Sequence, residues 1–434
     1  MENQKFFNSV LFTLFSTGIR VGARFLKNIL FARFLGVEMR GLLSLFIFFG
    51  NTASLFLNLG LGHGIVFHRR KSNLESRELF GMLLLVSILM SSLFTLILYG
   101  CFSLNTNLSQ NLIHLSDYWE IMGFYVFVLI SNQYLIYLAI GSEHIYFQNL
   151  SGILASVMNL LLFLVGIFWT SFQAIDIAII STISSLFIQN LMLSLVICYE
   201  KKAYSTKNLL NVFRDCFKIG KTLYWVDILQ FLSTRVVYLY ITSQLGFTSL
   251  GLYVIAMNLI DVLAQFPNNA FLPFIAKLYG FNKKEMGKFS SISHKYLFWT
   301  ILIISIVFFI CSNWIFTFLF GDKYETSSTP FNILLVGLIF SSCFIVLKYD
   351  FVNRDESKFV TISIISGFVF LLITSHFLIK IYGIQGAALS VTASQIINYL
   401  ILLAFSLTRG HSKLKDLLLF TKNDLSTIKK FLKI

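Results

Sequence analysis

Three cations, Arg20, Arg24 and Lys27, stand inside an otherwise apolar stretch, VLFTLFSTGIRVGARFLKNILF, at residues 10–31. Spacings of four and seven place all three on one face of a helix, and Thr13, Ser16 and Thr17 extend that stripe toward the amino end. Guanidinium groups keep their charge when desolvated and grip phosphate with paired donors, so the row is chemistry for an anion. Each cation near a bilayer centre costs roughly 2.5–3.5 kcal/mol, so the row must face water or protein and not lipid. Arg20 and Arg24 have no acid in their own helix. Lys27 sits near the outer end, where snorkelling to the interface is an equal account of it.

Further polar seams lie elsewhere. In KTLYWVDILQFLSTRVVYLYITSQLG, residues 221–246, a stripe of Asp227, Gln230, Thr234, Tyr238 and Thr242 carries Arg235 on its flank. The next apolar stretch supplies Asn258, Asp261, Gln265 and Asn268, and residues 42–66 supply Asn51, Ser54 and Asn58, at spacings of three or four. Facing seams from two lobes would enclose a hydrophilic cavity whose strongest formal charges are cationic. The candidate binding residues are therefore Arg20, Arg24, Lys27, Asn51, Asn58, Asp227, Gln230, Arg235, Asn258, Asp261 and Gln265. For the amides and hydroxyls, hydrogen bonds between neighbouring helices are the competing role. Asp227 and Arg235 have one too, as an ion pair that lowers insertion cost.

The elements that position these residues are membrane helices. Mean hydropathy is +0.78, 56% of the 434 residues are hydrophobic and only 12% are charged, a composition that excludes a soluble domain. Twelve spans of about 20 residues fit, near 10–31, 42–66, 79–102, 119–140, 147–169, 174–198, 220–244, 250–274, 294–319, 331–352, 359–381 and 385–408. The net charge of +14 reports orientation and not nucleic-acid binding. With the amino terminus inside, Arg33, Arg40, Lys323 and Lys380 fall in outer loops, and the remaining basic residues outside the spans are cytoplasmic, so both termini are expected in the cytoplasm.

Two segments, LGVEMRGL at 35–42 and LGFTSLGL at 245–252, share an LG-x4-GL pattern. They make the chain an internal repeat of two six-helix lobes with the same orientation. The expected organisation is a lobe at 1–198, a basic cytoplasmic linker at 199–219, a lobe at 220–408 and a basic amphipathic tail at 409–434 lying on the inner leaflet. Pro267 and Pro273 should kink or loosen the eighth span. The histidines sit mostly at span ends, and His376 is the one candidate proton carrier.

Catalytic patterns are missing. No nucleophile elbow, phosphate-cradling glycine loop or metal-ligand cluster is present, and the five scattered cysteines make no zinc or disulfide frame. Asp350, Asp355 and Glu356, interleaved with Lys348, Arg354 and Lys358, read as a solvated loop. The chain is expected not to be an enzyme.

KNILFARFLGVEMRGLLSLF, QLGFTSLGLYVIA, FLFGDKYETSSTPFNIL and YGIQGAALSVTAS resemble the recurring joints of the multidrug/oligosaccharidyl-lipid/polysaccharide (MOP) exporter superfamily. Within it the chain is most similar to the Wzx-type O-antigen flippases of the polysaccharide biosynthesis exporters, over about residues 10–408. The resemblance implies an all-α, MATE-like, two-lobed integral membrane protein of a bacterial inner membrane. It implies transfer of an undecaprenyl-pyrophosphate-linked oligosaccharide from the cytoplasmic to the periplasmic leaflet through a cationic cavity, matched here by Arg20, Arg24 and Arg235 in type and helix. It implies no cofactor, leaves open coupling to a proton or sodium gradient, and suggests a polysaccharide polymerase and a chain-length regulator as partners. The alternatives are a lipid II or multidrug exporter of the same superfamily, or the membrane polymerase of the same pathway.

Overall fold

The computed structural model describes residues 2–62, 64–66, 76–103, 117–199, 209–278, 283–411 and 414–418. Among them there is no strand, and helices account for nearly every residue. Residues 200–208 of the expected linker and 419–434 of the expected amphipathic tail lie outside the described residues.

The first helical stretch, Glu2–Leu57, breaks at Gly36 (φ 75°, ψ 177°) into α1 (2–35) and α2 (37–57). Helices α3 (Ser76–Ser103), α4 (Trp119–Gly141), α5 (Ile145–Trp169) and α6 (Ala174–Tyr199) follow. Helix α7 runs from Leu209 to Arg235, is interrupted at Val236, and continues to residue 245. Gly246 (φ 81°, ψ 179°) then separates it from α8 (247–278). Helices α9 (Lys283–Phe320) and α10 (Ser328–Asn353) are joined by a 3-10 turn. Gly383 (φ 59°, ψ −136°) divides Ser357–Thr408 into α11 (357–382) and α12 (384–408), and a short α13 (Leu414–Leu418) ends the described chain.

Gly36 and Gly246, the two glycines of the repeated LG-x4-GL pattern, thus share one backbone conformation. It lies in a region of φ/ψ open almost only to glycine, because a Cβ there meets its own backbone. At each, the chain reverses direction. Arg40 donates to Asn28 Oδ1 at 2.9 Å, and Tyr238 and Tyr253 pack edge to face at 6.0 Å, contacts that a straight helix would separate by many turns. The sequence repeat is therefore a repeat of structure.

Among the described residues eight helical stretches are long and apolar enough to cross a membrane, and two of them, Tyr224–Gln265 and Ser357–Thr408, are hairpins divided at Gly246 and Gly383. Helices α1 and α2, divided at Gly36, stand at the first two of the twelve expected spans. Large apolar side chains such as Phe15, Leu96, Leu195 and Ile310 point outward, as lipid-facing positions do. Trp169 and Tyr199, at helix ends, are largely exposed, the placement that suits aromatic residues at headgroup level.

The chain divides into two compact units, Met1–Ile228 and Leu229–Ile434. In the first, Leu79, Leu83, Ile130, Leu138, Ile197 and Cys216 form a core drawn from α3, α4, α6 and α7. Residues 209–219, expected as linker, are helical, and Phe213 and Cys216 among them pack into this unit's core. A Cβ on Gly220 would lie 1.9 Å from the Gly60 carbonyl oxygen, so glycine is required for that approach. Tyr224 also donates to the Phe56 carbonyl at 2.7 Å.

In the second unit the segment after α12 turns back on its own helices. Leu417 is fully buried, and its carbonyl accepts from Nδ1 of the buried His294 at 3.1 Å, while His294 Nε2 accepts from the Tyr399 hydroxyl at 3.0 Å. Asp350, expected in a solvated loop, is instead 2% exposed and accepts from Arg354 Nε at 3.1 Å. His411 lies 3.8 Å from the same carboxylate and 3.6 Å from Glu356, which also accepts from Arg409 at 3.0 Å. Asp350 needed partners because the α10 end that carries it is covered by the returning chain, a tertiary fact with no local sequence signal.

Candidate functional site

Arg20, Arg24 and Lys27 line a cavity of about 200 Å³ within the first unit, together with side chains from α4, α5 and α6. The row on α1 thus faces protein and water, as its insertion cost demands. Asn132 comes from α4, Gln148, Ser156 and Asn159 from α5, and Thr182, Ser185 and Gln189 from α6. A polar pocket surrounds three cations.

Arg20 is held in place. Its Nη2 donates to Thr17 Oγ1 at 3.1 Å and to Asn149 Oδ1 at 3.3 Å, and Asn149 Nδ2 in turn donates to Thr13 Oγ1 at 3.0 Å. The Thr13 and Thr17 of the sequence stripe are therefore the supports of the first cation. Gly152 leaves room for it, since a Cβ there would stand 3.0 Å from Arg20 Nη1. Arg24 is exposed to the cavity, and Lys27 lies 5.3 Å from the centre of the Phe31 ring. Among the described residues no carboxylate forms an ion pair with any of the three. Three cations gathered among amide and hydroxyl groups, with no carboxylate paired to them among the described residues, are an arrangement whose chemistry would suit an anion.

Arg40, expected in an outer loop, is instead 3% exposed on α2, bonded to Asn28 and 5.6 Å from the Phe31 ring centre. The reversal at Gly36 brings it beside the end of the α1 row. Lys348 is part of α10, within the span expected at 331–352.

The second unit holds its cation differently. Arg235, at the interruption of α7, forms an ion pair with Asp261 of α8 and donates through Nη1 to the Tyr238 hydroxyl at 2.7 Å. The carboxylate of the pair is Asp261, and Asp227 is an exposed residue of α7 in the first unit. The interruption at Val236 also breaks the stripe from Asp227 to Thr242. Gln230 accepts from Lys348 Nζ at 3.0 Å, and Gln265 Nε2 donates to the Asp261 carbonyl at 3.4 Å. Asn258 is half-buried one turn before Asp261.

Asn58 ends α2. Its Nδ2 donates to Gln133 Oε1 at 2.7 Å and its Oδ1 accepts from the Gly60 amide at 2.8 Å, capping a turn in which Leu59 and Gly60 have positive φ. Asn51 is half-buried, and its carbonyl accepts from Ser54 Oγ at 2.9 Å. Neither lines the cavity of the three cations. The residues missed in the sequence, Asn149, Gly152, Gln148, Asn159 and Gln189, sit on α5 and α6, where no formal charge draws attention to the polar face. Their signal was a set of amides in otherwise apolar spans.

The structure resembles the lipid II flippase MurJ in an inward closed conformation, with TM-score 0.67 and 16% identity over 98% of this chain and 90% of that one. It resembles an inward-facing multidrug resistance MATE family transporter of the MOP superfamily at TM-score 0.62 and 14% identity, over 90% and 94% of the two chains. A mutant of the Vibrio cholerae MATE transporter VcmN matches at TM-score 0.59 and 16% identity, over 94% and 98%. At these identities the likeness is one of fold, and the fold is the MOP-type, all-α membrane frame expected from the four joints. No curated protein matches the chain in sequence. Residues 30–329 match the sequence profile described as polysaccharide biosynthesis protein. That match runs from the end of the cationic helix through the Gly246 joint and covers well over half of the sequence, so the chain belongs to the polysaccharide biosynthesis protein family.

Proposed function

We propose that the protein is a flippase that carries an undecaprenyl-pyrophosphate-linked oligosaccharide, an O-antigen or similar polysaccharide repeat unit, from the cytoplasmic to the periplasmic leaflet of a bacterial inner membrane. The observation that carries the reading is the cavity of Arg20, Arg24 and Lys27, three intramembrane cations with no carboxylate partner among the described residues. A diphosphate cannot cross hydrocarbon unaided, and paired guanidinium donors replace the water that it leaves behind. The amides and hydroxyls of α4, α5 and α6 suit the hydroxyl-rich sugar next to it, while the prenyl chain stays in lipid.

Alternating access delivers the bound group to the other side, and both termini stay in the cytoplasm. A proton or sodium gradient is the proposed drive, with the polymerase and the chain-length regulator of the same polysaccharide as downstream partners. A multidrug exporter of cations is disfavoured by the sign of the site, since like charges at this separation repel.

Reconstitution of the purified protein in vesicles that contain a lipid-linked, diphosphate-bridged oligosaccharide tests this directly. A lectin or oxidant outside the vesicles should reach the whole lipid pool in the presence of protein and about half of it in protein-free vesicles, where the two leaflets stay separate. Equal accessibility in both would refute the reading.

A further inference from the structure

Each unit gives a membrane guanidinium a partner from another helix, and the two partners differ by one group. Arg235 faces the carboxylate of Asp261, whereas Arg20 faces the amide of Asn149, at 3.3 Å. Asn149 is 1% exposed and stands behind Arg20, outside the residues that line the cavity. Its orientation is set: Nδ2 donates to Thr13 Oγ1 at 3.0 Å, which leaves Oδ1 for Arg20. The other acceptor for Arg20, Thr17 Oγ1, is neutral too. A Cβ on Gly152 would lie 3.0 Å from Arg20 Nη1 and 3.6 Å from Gln189 Nε2, so a second buried amide stands beside the same guanidinium. None of the residues lining the cavity is Asp or Glu. Asn and Asp share one shape, and the Thr13 hydroxyl can donate as readily as accept, so a carboxylate would fit where Asn149 stands. What the amide decides is therefore charge.

We infer that Asn149 is the positioning residue that fixes the sign of the cargo: it orients Arg20 without neutralising it and so keeps the cavity cationic, with Gln189 as its neutral counterpart on α6. The inference rests on the reading of the α1 row as an anion site and names the residue that keeps the row charged. A carboxylate at this position would pair with Arg20 as Asp261 pairs with Arg235, and an entering anion would first have to break that pair. The amide accepts one guanidinium N–H and leaves the charge and the remaining N–H groups to the cargo. The cost is repulsion among three like charges gathered in one membrane cavity. A carboxylate should therefore make the empty protein more stable and a poorer binder. Stability and binding then move in opposite directions, which a residue that only packs does not produce.

The test compares Asn149→Asp and Asn149→Ala with wild type in the purified full-length protein, by calorimetry with inorganic pyrophosphate and by thermal melts without it. Loss of the Arg20 contact alone, in Asn149→Ala, should weaken pyrophosphate binding about tenfold or less. Asn149→Asp keeps that contact and adds a charge, and it should bind about tenfold more weakly still, with a melting temperature at or above that of wild type. If Asn149 served only to hold Arg20 in place, the order would reverse, because Asp holds a guanidinium better than Ala. Asn149→Asp that binds as well as Asn149→Ala, or better, therefore overturns the inference. Should the melts show that Asn149→Asp does not fold, Gln189→Glu against Gln189→Ala takes its place, with the same order expected and the same reversal overturning it. The vesicle assay above is scored separately. The expected affinity order without flipping would sink the functional reading and leave the role of Asn149 standing, the reverse order with flipping intact would sink that role alone, and a wild type that binds no pyrophosphate would sink both.

Discussion

Replacing Gly36 or Gly246 by Ala should destabilise the protein by the same amount, although nothing in the structure touches either position. Beyond its own backbone and its neighbours in the chain, a Cβ at each would meet no atom within 4 Å, so tertiary packing contributes nothing to the cost. What remains is backbone. Both residues sit at φ near +80° with ψ near 180° (75° and 177°, 81° and 179°), a conformation that costs a residue with a Cβ about 1–3 kcal/mol. Because the angles agree within a few degrees, the two penalties should agree as well. Gly22 is the internal control: it too has open space around a would-be Cβ, but it lies within regular helix. There Ala should stabilise, by about 0.5–1 kcal/mol. Thermal unfolding in detergent, followed by monodispersity on a sizing column, reads all three. Gly36→Ala and Gly246→Ala should each lower the midpoint by several degrees, Gly22→Ala should raise it slightly, and the double variant should lose the sum because the two sites lie in separate units. A neutral Gly36→Ala, or a pair that differs severalfold, would refute the claim that the repeated motif encodes one backbone geometry twice.

Three further outcomes are expected. Gly152→Ala places a methyl 3.0 Å from Arg20 Nη1 and 3.1 Å from Arg20 Cδ, so it should displace Arg20 from Asn149 and lower pyrophosphate affinity about tenfold at an unchanged melting temperature, measured by calorimetry. His294→Ala should release the α13 segment by removing the Leu417 and Tyr399 bonds, costing about 2–4 kcal/mol and making the chain after Arg409 sensitive to limited proteolysis. Asp350→Ala leaves the buried Arg354 without its carboxylate and should cost about 3–5 kcal/mol, seen as a lower melting temperature, whereas Glu356→Ala, in a more exposed pair, should cost about 1 kcal/mol or less.

The frame was legible because its signals are local. Apolar length sets a span, and a glycine at a fixed place in a repeated motif sets a turn, so the twelve helices and the Gly36 and Gly246 joints could be read from residues alone. Helical spacing also put Arg20, Arg24 and Lys27 on one face. Spacing does not say what lies opposite that face, and here the sequence reading fell short. The α1 row looks onto α4, α5 and α6, with Asn149 and Gly152 fitted to Arg20, and those amides carry no charge that would single them out. The same blindness placed Arg40 outside the core and Asp350 in solvent, since both are buried by chain reversals distant in sequence. Asp227, on the same helix, was the expected ion-pair partner of Arg235, and the hairpin at Gly246 brings Asp261 to it instead.

The most direct test of the account follows a lipid-linked repeat unit in a strain that lacks the gene. Complete single units should collect on the cytoplasmic leaflet, wild type should clear them, and Arg24→Ala, made at normal level, should insert in the membrane and fail to clear them. Single units at the cell surface in the deletion strain would mean that transport is intact without this protein, and Arg24→Ala that restores surface polysaccharide would remove the cationic cavity from its centre.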